Sequence, residues 1–280
     1  MQIKVKTPAK INLTLEIINK RDDGFHNIKS IMQMINLYDY VTINAEPSKN
    51  FEIILRGSST EIPYDESNLV YKATKLYIDF ANIPPHKFNI YIEKNIPISA
   101  GLAGGSTNAA GTLFGLNKLF KNKIQNLHPL CAMLGSDLNV CLEGGCSLAT
   151  GRGEQIQKLP PIDCSLSLIK PLNLGVSAKE AYSKYASLKN KPQLNKTEKM
   201  IKSLNQGKIY QEDLYNDLET AIFNDYEELQ KIKELLPNSI MSGSGSTYFV
   251  LNQNIPENIQ GYFIKNNLKF ITGGVEEVTQ

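Results

Sequence analysis

Along the first part of the chain apolar and polar positions alternate with the period of two that extended strands require, and the breaks in that alternation carry turn residues. The segments "IKVKTPAKINLTLEII" (3–18) and "IKSIMQMINLYDYVTINAE" (28–46) read as strands separated by the turn "RDDGFHN" (21–27), and "NFEIILRG" (50–57) reads as another strand. The spacing then changes. "LVYKATKLYIDF" places apolar residues three and four apart, which predicts a helix over 69–80, followed by a strand at "KFNIYIEKN" (87–95). Further on, Ala109, Leu113, Leu116 and Phe120 recur at helical spacing directly behind a glycine-rich stretch, so a loop feeds a buried helix.

Beyond Glu154 the texture differs. "KLPPIDCSLSLIKP" is a proline-punctuated strand, and Ser177 to Leu204 predicts helices around the loop "KNKPQLNK" (189–196). Gln211 to Leu236 reads as one long helix stopped by Pro237, whose ring and missing amide cannot continue it. "SIMSGSGSTYFVLN" (239–252), a further helix, and short strands at "LKFI" and "GVEEVT" complete the chain. The fold class expected is α+β in two domains, a strand-rich half over 1–159 and a second half over 160–280, with the active site in the cleft between them.

Composition narrows the function. With 41% apolar and 21% charged residues the chain can build a sizeable core, and a net charge of +2 gives no whole-molecule case for nucleic acid or an anionic membrane. No apolar run approaches the roughly 18 residues of a membrane span, and the opening residues lack the layout of a secretory signal, so a cytoplasmic protein is expected. Cys131, Cys141, Cys146 and Cys164 form no CxxC pair and have no histidine at ligand spacing, which makes them buried free thiols.

The stretch "IPISAGLAGGSTNAAGTLFGLNKLF" (96–120) holds five glycines, three of them, Gly101, Gly104 and Gly105, ahead of the helical spacing that starts at Ala109. A helix start leaves backbone amides unpaired at the positive end of the peptide dipoles, and small residues let an anion approach them. Exposed amides at Gly104 to Thr107 thus make a phosphate seat, while Ser106 and Thr107 add hydroxyls, with Ser106 a candidate magnesium contact. A tight turn serving only helix packing is the competing reading. The pattern is neither GxxxxGK[ST] nor GxGxxG.

The same residues, Pro97, Gly101, Leu102, Ala103, Gly104, Gly105 and Ser106, resemble the second motif of the GHMP kinases. "PAKINL" with "DGFH" is similar to the opening of that superfamily's branch whose acceptor carries a cytidine diphosphate head, and "MSGSGST" is similar to its third glycine loop. "LGSD", "GGCSLATGRGE" and "NDLE" extend the likeness in order over nearly the whole chain. The resemblance implies transfer of the γ-phosphoryl of ATP, with Mg2+, to the 2-hydroxyl of a diphosphocytidyl methylerythritol on the non-mevalonate route to isoprenoid precursors.

It also implies roles. Asp137 matches the catalytic aspartate and Lys10 the lysine paired with it; ATP falls to Pro97, Ile98, Ser99, Ala100, Gly101, Leu102, Ala103, Gly104, Gly105, Ser106 and Thr107. Asn12, Phe25, His26 and Tyr182 match acceptor contacts, Phe25 and Tyr182 sandwiching the cytosine and His26 contacting its edge. Ser242, Gly243 and Ser244 match the loop closing over the transferring phosphate. The protein ligand of magnesium and the oligomeric state stay open. Without the resemblance, Asp137 reads as a turn or helix cap, Lys10 as solvated, and the aromatics as core. Departures exist: Asn139 and Val140 stand where the family has proline and an aromatic, Phe25 replaces the commoner tyrosine, and Ser246 replaces a proline. Another GHMP kinase, of homoserine or mevalonate type, and a non-catalytic nucleotide-binding regulator remain as alternatives.

Overall fold

Two long antiparallel strands, β1 (Gln2–Lys20) and β2 (His26–Pro47), run side by side through the computed structural model, which describes residues 1–189, 191 and 194–279. Part of the loop expected at 189–196 therefore lies outside the described residues. β1 is buried continuously from Thr7 to Ile17, so both of its faces are covered. Strand alternation decides what each face holds. Ala9, Ile11 and Leu13 enter one apolar cluster with Leu166, Leu168 and Phe249, while Lys10 and Asn12 point the other way. Register shifts at Pro8/Ala9, Asn12/Thr14 and Ile17/Asn19 bend the ribbon at three places.

β3 (Glu52–Gly57) and β4 (His86–Glu93) extend this ribbon into the first sheet in the order β1-β2-β4-β3, with helix α1 (Leu69–Ala81) between them in the chain. Asn68 starts α1 by accepting from Val70 N, and Asn82 ends it in the left-handed conformation. Helix α2 (Gly104–Leu119) follows the glycine loop. It buries Ala109, Leu113 and Leu116, as the spacing predicts, and Gly111 lets it lie close on β1, since a Cβ there would be 2.3 Å from Thr7 Cγ2.

Short helices α3 (His128–Leu134) and α4 (Leu138–Glu143) lead into the hairpin β5 (Cys146–Thr150) and β6 (Gln155–Lys158), with β5 paired to β2. After β7 (Ser165–Pro171) come α5 (Ala178–Ser187), capped by Ser177, and α6 (Lys196–Asn205). The long helix expected over 211–236 is instead broken: a 3-10 turn, β8 (Tyr215–Asn216), α7 (Asp217–Ile222), a second 3-10 turn and α8 (Glu227–Leu235). The cause is long-range. Tyr215 and Asn216 pair with Thr14 and Leu15 of β1, and the Asp217 carboxylate accepts from Ile17 N at 2.6 Å.

β9 (Ile240–Met241), β10 (Tyr248–Leu251) and β11 (Tyr262–Lys269) join β7 in a four-stranded antiparallel sheet, order β11-β7-β10-β9. The helix expected after residue 252 does not form, because the Asn266 side chain brackets Ile255 through both its N–H and its C=O and holds the segment extended. The strand expected at 274–279 shortens to β12 (Glu276–Glu277), which pairs with Val5 and Lys6. Val275 N donates to Cys141 O and Val278 N to Lys4 O. Among the described residues no helix is long and apolar enough to cross a membrane, and all four cysteines are buried and free.

Candidate active site

Lys10 is only 3% exposed, so its ammonium must find partners inside the protein. It donates to Asn12 Oδ1 at 2.7 Å and to Gly101 O at 2.9 Å, and lies 3.7 Å from Asp137 Oδ2. Asn12 is oriented in turn by its Nδ2 donating to Ser30 Oγ at 2.8 Å. Asp137 occupies the position before α4, yet its side chain caps nothing; the carboxylate is left facing the cleft and Lys10. Asn139, which stands where the GHMP pattern has proline, donates to Glu154 O at 2.7 Å and so ties the helix behind Asp137 to the β5–β6 turn.

The glycine loop enters α2 through Ala103 in the left-handed conformation, without a side-chain cap. Thr107 departs from its expected role: its amide already bonds Ala103 O at 2.9 Å and its side chain is buried, which leaves Gly104, Gly105 and Ser106 to offer amides. Residues Pro97 to Gly105 line a cavity of about 380 Å³ with Ile62, Pro63, Leu69 and Lys94. Ser106 instead faces a larger cleft, about 660 Å³, together with Lys10, Asn12, Asp137, Phe25, His26, Tyr182, Gly243 and Ser244. Gly101 and Ala103 line both spaces, so the two meet there.

Ser242 is not a wall of either. It is fully buried, and its hydroxyl donates to Gly101 O at 3.0 Å, clamping the third loop to the first. The fit is close: a Cβ on Gly101, whose φ is +72°, would come within 1.9 Å of Ser242 O. Ser246 holds the same loop by donating to Leu174 O at 2.6 Å, and Asn216 does so through Met241 O and Gly243 O at 2.7 and 2.8 Å.

At the far end of the cleft the stacked pair is His26 on Tyr182, with centroids 5.2 Å apart and planes 20° apart. Phe25, 51% exposed, lies apart from them under the Arg152 guanidinium. A base held between Phe25 and Tyr182 must therefore displace His26 from the tyrosine. Burial lowers the His26 imidazole below its ordinary 6.5, helped by Lys20 and Lys191, and burial with Asp137 and Asp217 nearby raises the Tyr182 phenol. Lys20, Lys179 and Arg152 add positive charge along the walls.

Several contributors carried no local signal. Asp39 is fully buried and accepts from Asn95 N (2.7 Å), Ile96 N (2.8 Å), Asn108 Nδ2 (3.0 Å) and Lys94 Nζ, fastening the entry of the glycine loop to α2. Nothing in "LYDYV" announces this; only its partners do. Among the described residues there is no group of three acidic, histidine or cysteine side chains able to hold a metal.

This fold, with a glycine loop opening a helix beside a buried lysine and a carboxylate, is that of a small-molecule kinase: the model for the GHMP kinases N terminal domain matches residues 68–146. The 4-diphosphocytidyl-2-C-methyl-D-erythritol kinases of Prochlorococcus marinus subsp. pastoris and Clostridium tetani are 38% and 40% identical, over 98% and 88% of this chain and 93% and 90% of theirs. A solved structure of that kinase superposes with a TM-score of 0.76 at 28% identity, covering 98% of this chain and all of the other. A homoserine kinase from Cytophaga hutchinsonii shares the fold, with a TM-score of 0.74 at 19% identity over 99% and 97% of the two chains. The chain belongs to the 4-diphosphocytidyl-2-C-methyl-D-erythritol kinase family.

Proposed function

We propose that the chain transfers the γ-phosphoryl of ATP to the 2-hydroxyl of 4-diphosphocytidyl-2-C-methyl-D-erythritol, a step in the non-mevalonate supply of isoprenoid precursors. One observation carries the reading: Lys10 and Asp137 lie 3.7 Å apart in the aromatic-lined cleft, and Lys10 bonds the carbonyl of Gly101, which also lines the glycine-loop cavity. In this reading segment 1–159 carries the nucleotide, and 160–280 closes the cleft with Tyr182 and the third loop.

The amides of Gly104, Gly105 and Ser106 grip the polyphosphate. Asp137 accepts the proton of the acceptor hydroxyl as its oxygen bonds the γ-phosphorus and the bond to the bridging oxygen of ADP breaks. Lys10, fixed by Asn12 and Gly101, aligns the attacking oxygen. His26, neutral at pH 7, can donate and accept at the cytosine edge, and Lys20 and Lys179 suit a diphosphate.

The residues present fit a magnesium ion carried mainly by ATP phosphates, since Ser106 offers a cleft-facing hydroxyl and no all-protein cage exists among the described residues. Ser106 would hold it, and the ion would supply neutralisation of phosphate charge. A cytosolic setting suits four free thiols. The test is ADP release with the diphosphocytidyl acceptor, homoserine and mevalonate: preference for the first is expected, and preference for either other overturns the reading.

A further inference from the structure

The backbone of Phe25 is fixed at the cleft mouth, its amide donating to Asp23 Oδ1 at 3.1 Å and its carbonyl accepting from Arg21 N at 2.8 Å. Its ring, however, is half exposed and has no aromatic neighbour among the described residues. The contact it does make is with Arg152, whose guanidinium carbon lies 5.0 Å from the ring centroid.

That guanidinium is itself held. Nη2 donates to Ala132 O at 3.2 Å, Nε lies 3.8 Å from Glu154 Oε2, and the Arg152 amide donates to the same carboxylate oxygen at 2.7 Å. The turn carrying it is anchored to β2, the strand that starts at His26, by Ile28 N donating to Gly151 O at 2.8 Å. A planar cation held at two of its nitrogens, on a backbone that is itself tied to Glu154, thus meets a ring fixed only through its backbone. A cation over an aromatic face is attractive, and occupation of one face leaves the opposite face to a second planar group.

We infer that Arg152 is a positioning residue for the acceptor: it holds the Phe25 ring ready, so that the base-bearing substrate does not have to order it. The inference rests on the cytidine-bearing acceptor proposed above, and it assigns Arg152 an action through Phe25 rather than on the diphosphate.

Calorimetric titration with CDP separates the two. Arg152→Ala should weaken CDP roughly two- to fivefold, the scale of an exposed cation–π contact. Phe25→Ala should weaken it further, and adding Arg152→Ala to Phe25→Ala should change nothing more. Should Arg152→Ala lose its fold by circular dichroism, Arg152→Lys, which keeps charge without a planar face, is read in the same cycle and should show a smaller loss of the same kind. An unchanged penalty for the arginine substitution in the Phe25→Ala background would make Arg152 a direct phosphate contact and overturn the inference, as would a wild-type chain that binds no CDP. CDP binding without phosphorylation of the full acceptor would sink the catalytic reading and leave this one standing.

Discussion

The Lys10 ammonium lies 3.7 Å from the Asp137 carboxylate while its shorter bonds go to Asn12 and Gly101. The lysine is therefore a buried structural tie, whereas the Asp137 side chain caps no helix and faces Lys10 and the cleft.

From that asymmetry the two substitutions should part company. Asp137→Ala is expected to lower kcat by a factor on the order of 100 to 10,000 with the KM for ATP nearly unchanged. Unaltered turnover would remove Asp137 from the chemistry.

Lys10→Ala should lose turnover and stability together. It leaves Asn12 Oδ1 without its Lys10 donor and takes from the Gly101 carbonyl one of its two donors, the other being Ser242, a cost of about 1–3 kcal/mol. Urea unfolding measures it, and an unshifted midpoint would contradict the burial argument.

Gly101→Ala demands both a left-handed φ and space that Ser242 O already fills. Loss of several kcal/mol is expected, on the scale of overpacking plus backbone strain of about 1–3 kcal/mol each, with activity lost even in the folded fraction. Gly207→Ala, where no atom lies within 4 Å, bears the φ penalty alone and should cost less in the same thermal melts.

The acid limb of activity should belong to His26. Its folded pKa lies below 6.5, so in the window beneath 6.5 the unfolded chain binds the extra proton; the contribution to stability is complete above that window and falls as pH drops through the folded value. The KM for the acceptor should rise over the same window, and His26→Gln should flatten the pH profile of acceptor kcat/KM. A profile that keeps its limb in that variant would assign it elsewhere.

Asp39→Ala removes the carboxylate that anchors Lys94, Asn108 and two loop amides. An uncompensated buried cation typically costs about 3–5 kcal/mol, and the KM for ATP should rise as the glycine loop loosens. Differential unfolding with and without ATP reads both effects.

What could be read from the residues was whatever local spacing encodes. "PAKINL" puts Lys10 and Asn12 on one strand face, and the small residues from Gly101 to Gly105 deliver a bare loop to a helix start, as expected. The helix over 211–236 failed because its period ignored partners 200 residues away: the Ile17 amide claims Asp217, and β1 claims Tyr215 and Asn216. Thr107 and Ser242 look like ligand contacts by composition, but the Thr107 side chain is buried and lines neither cavity, and the Ser242 hydroxyl is bonded to the Gly101 carbonyl. Asp39 and Arg152 are invisible for the same reason, since each acts through groups far off in sequence.

The pairing of β12 with Val5 and Lys6, and of Val275 with the carbonyl of Cys141, joins residues near the chain's last stretch to the strand bearing Lys10 and the helix behind Asp137. Residues 275–278 therefore act as a clasp: without them the strand that bears Lys10 and the helix behind Asp137 would lose a shared tie.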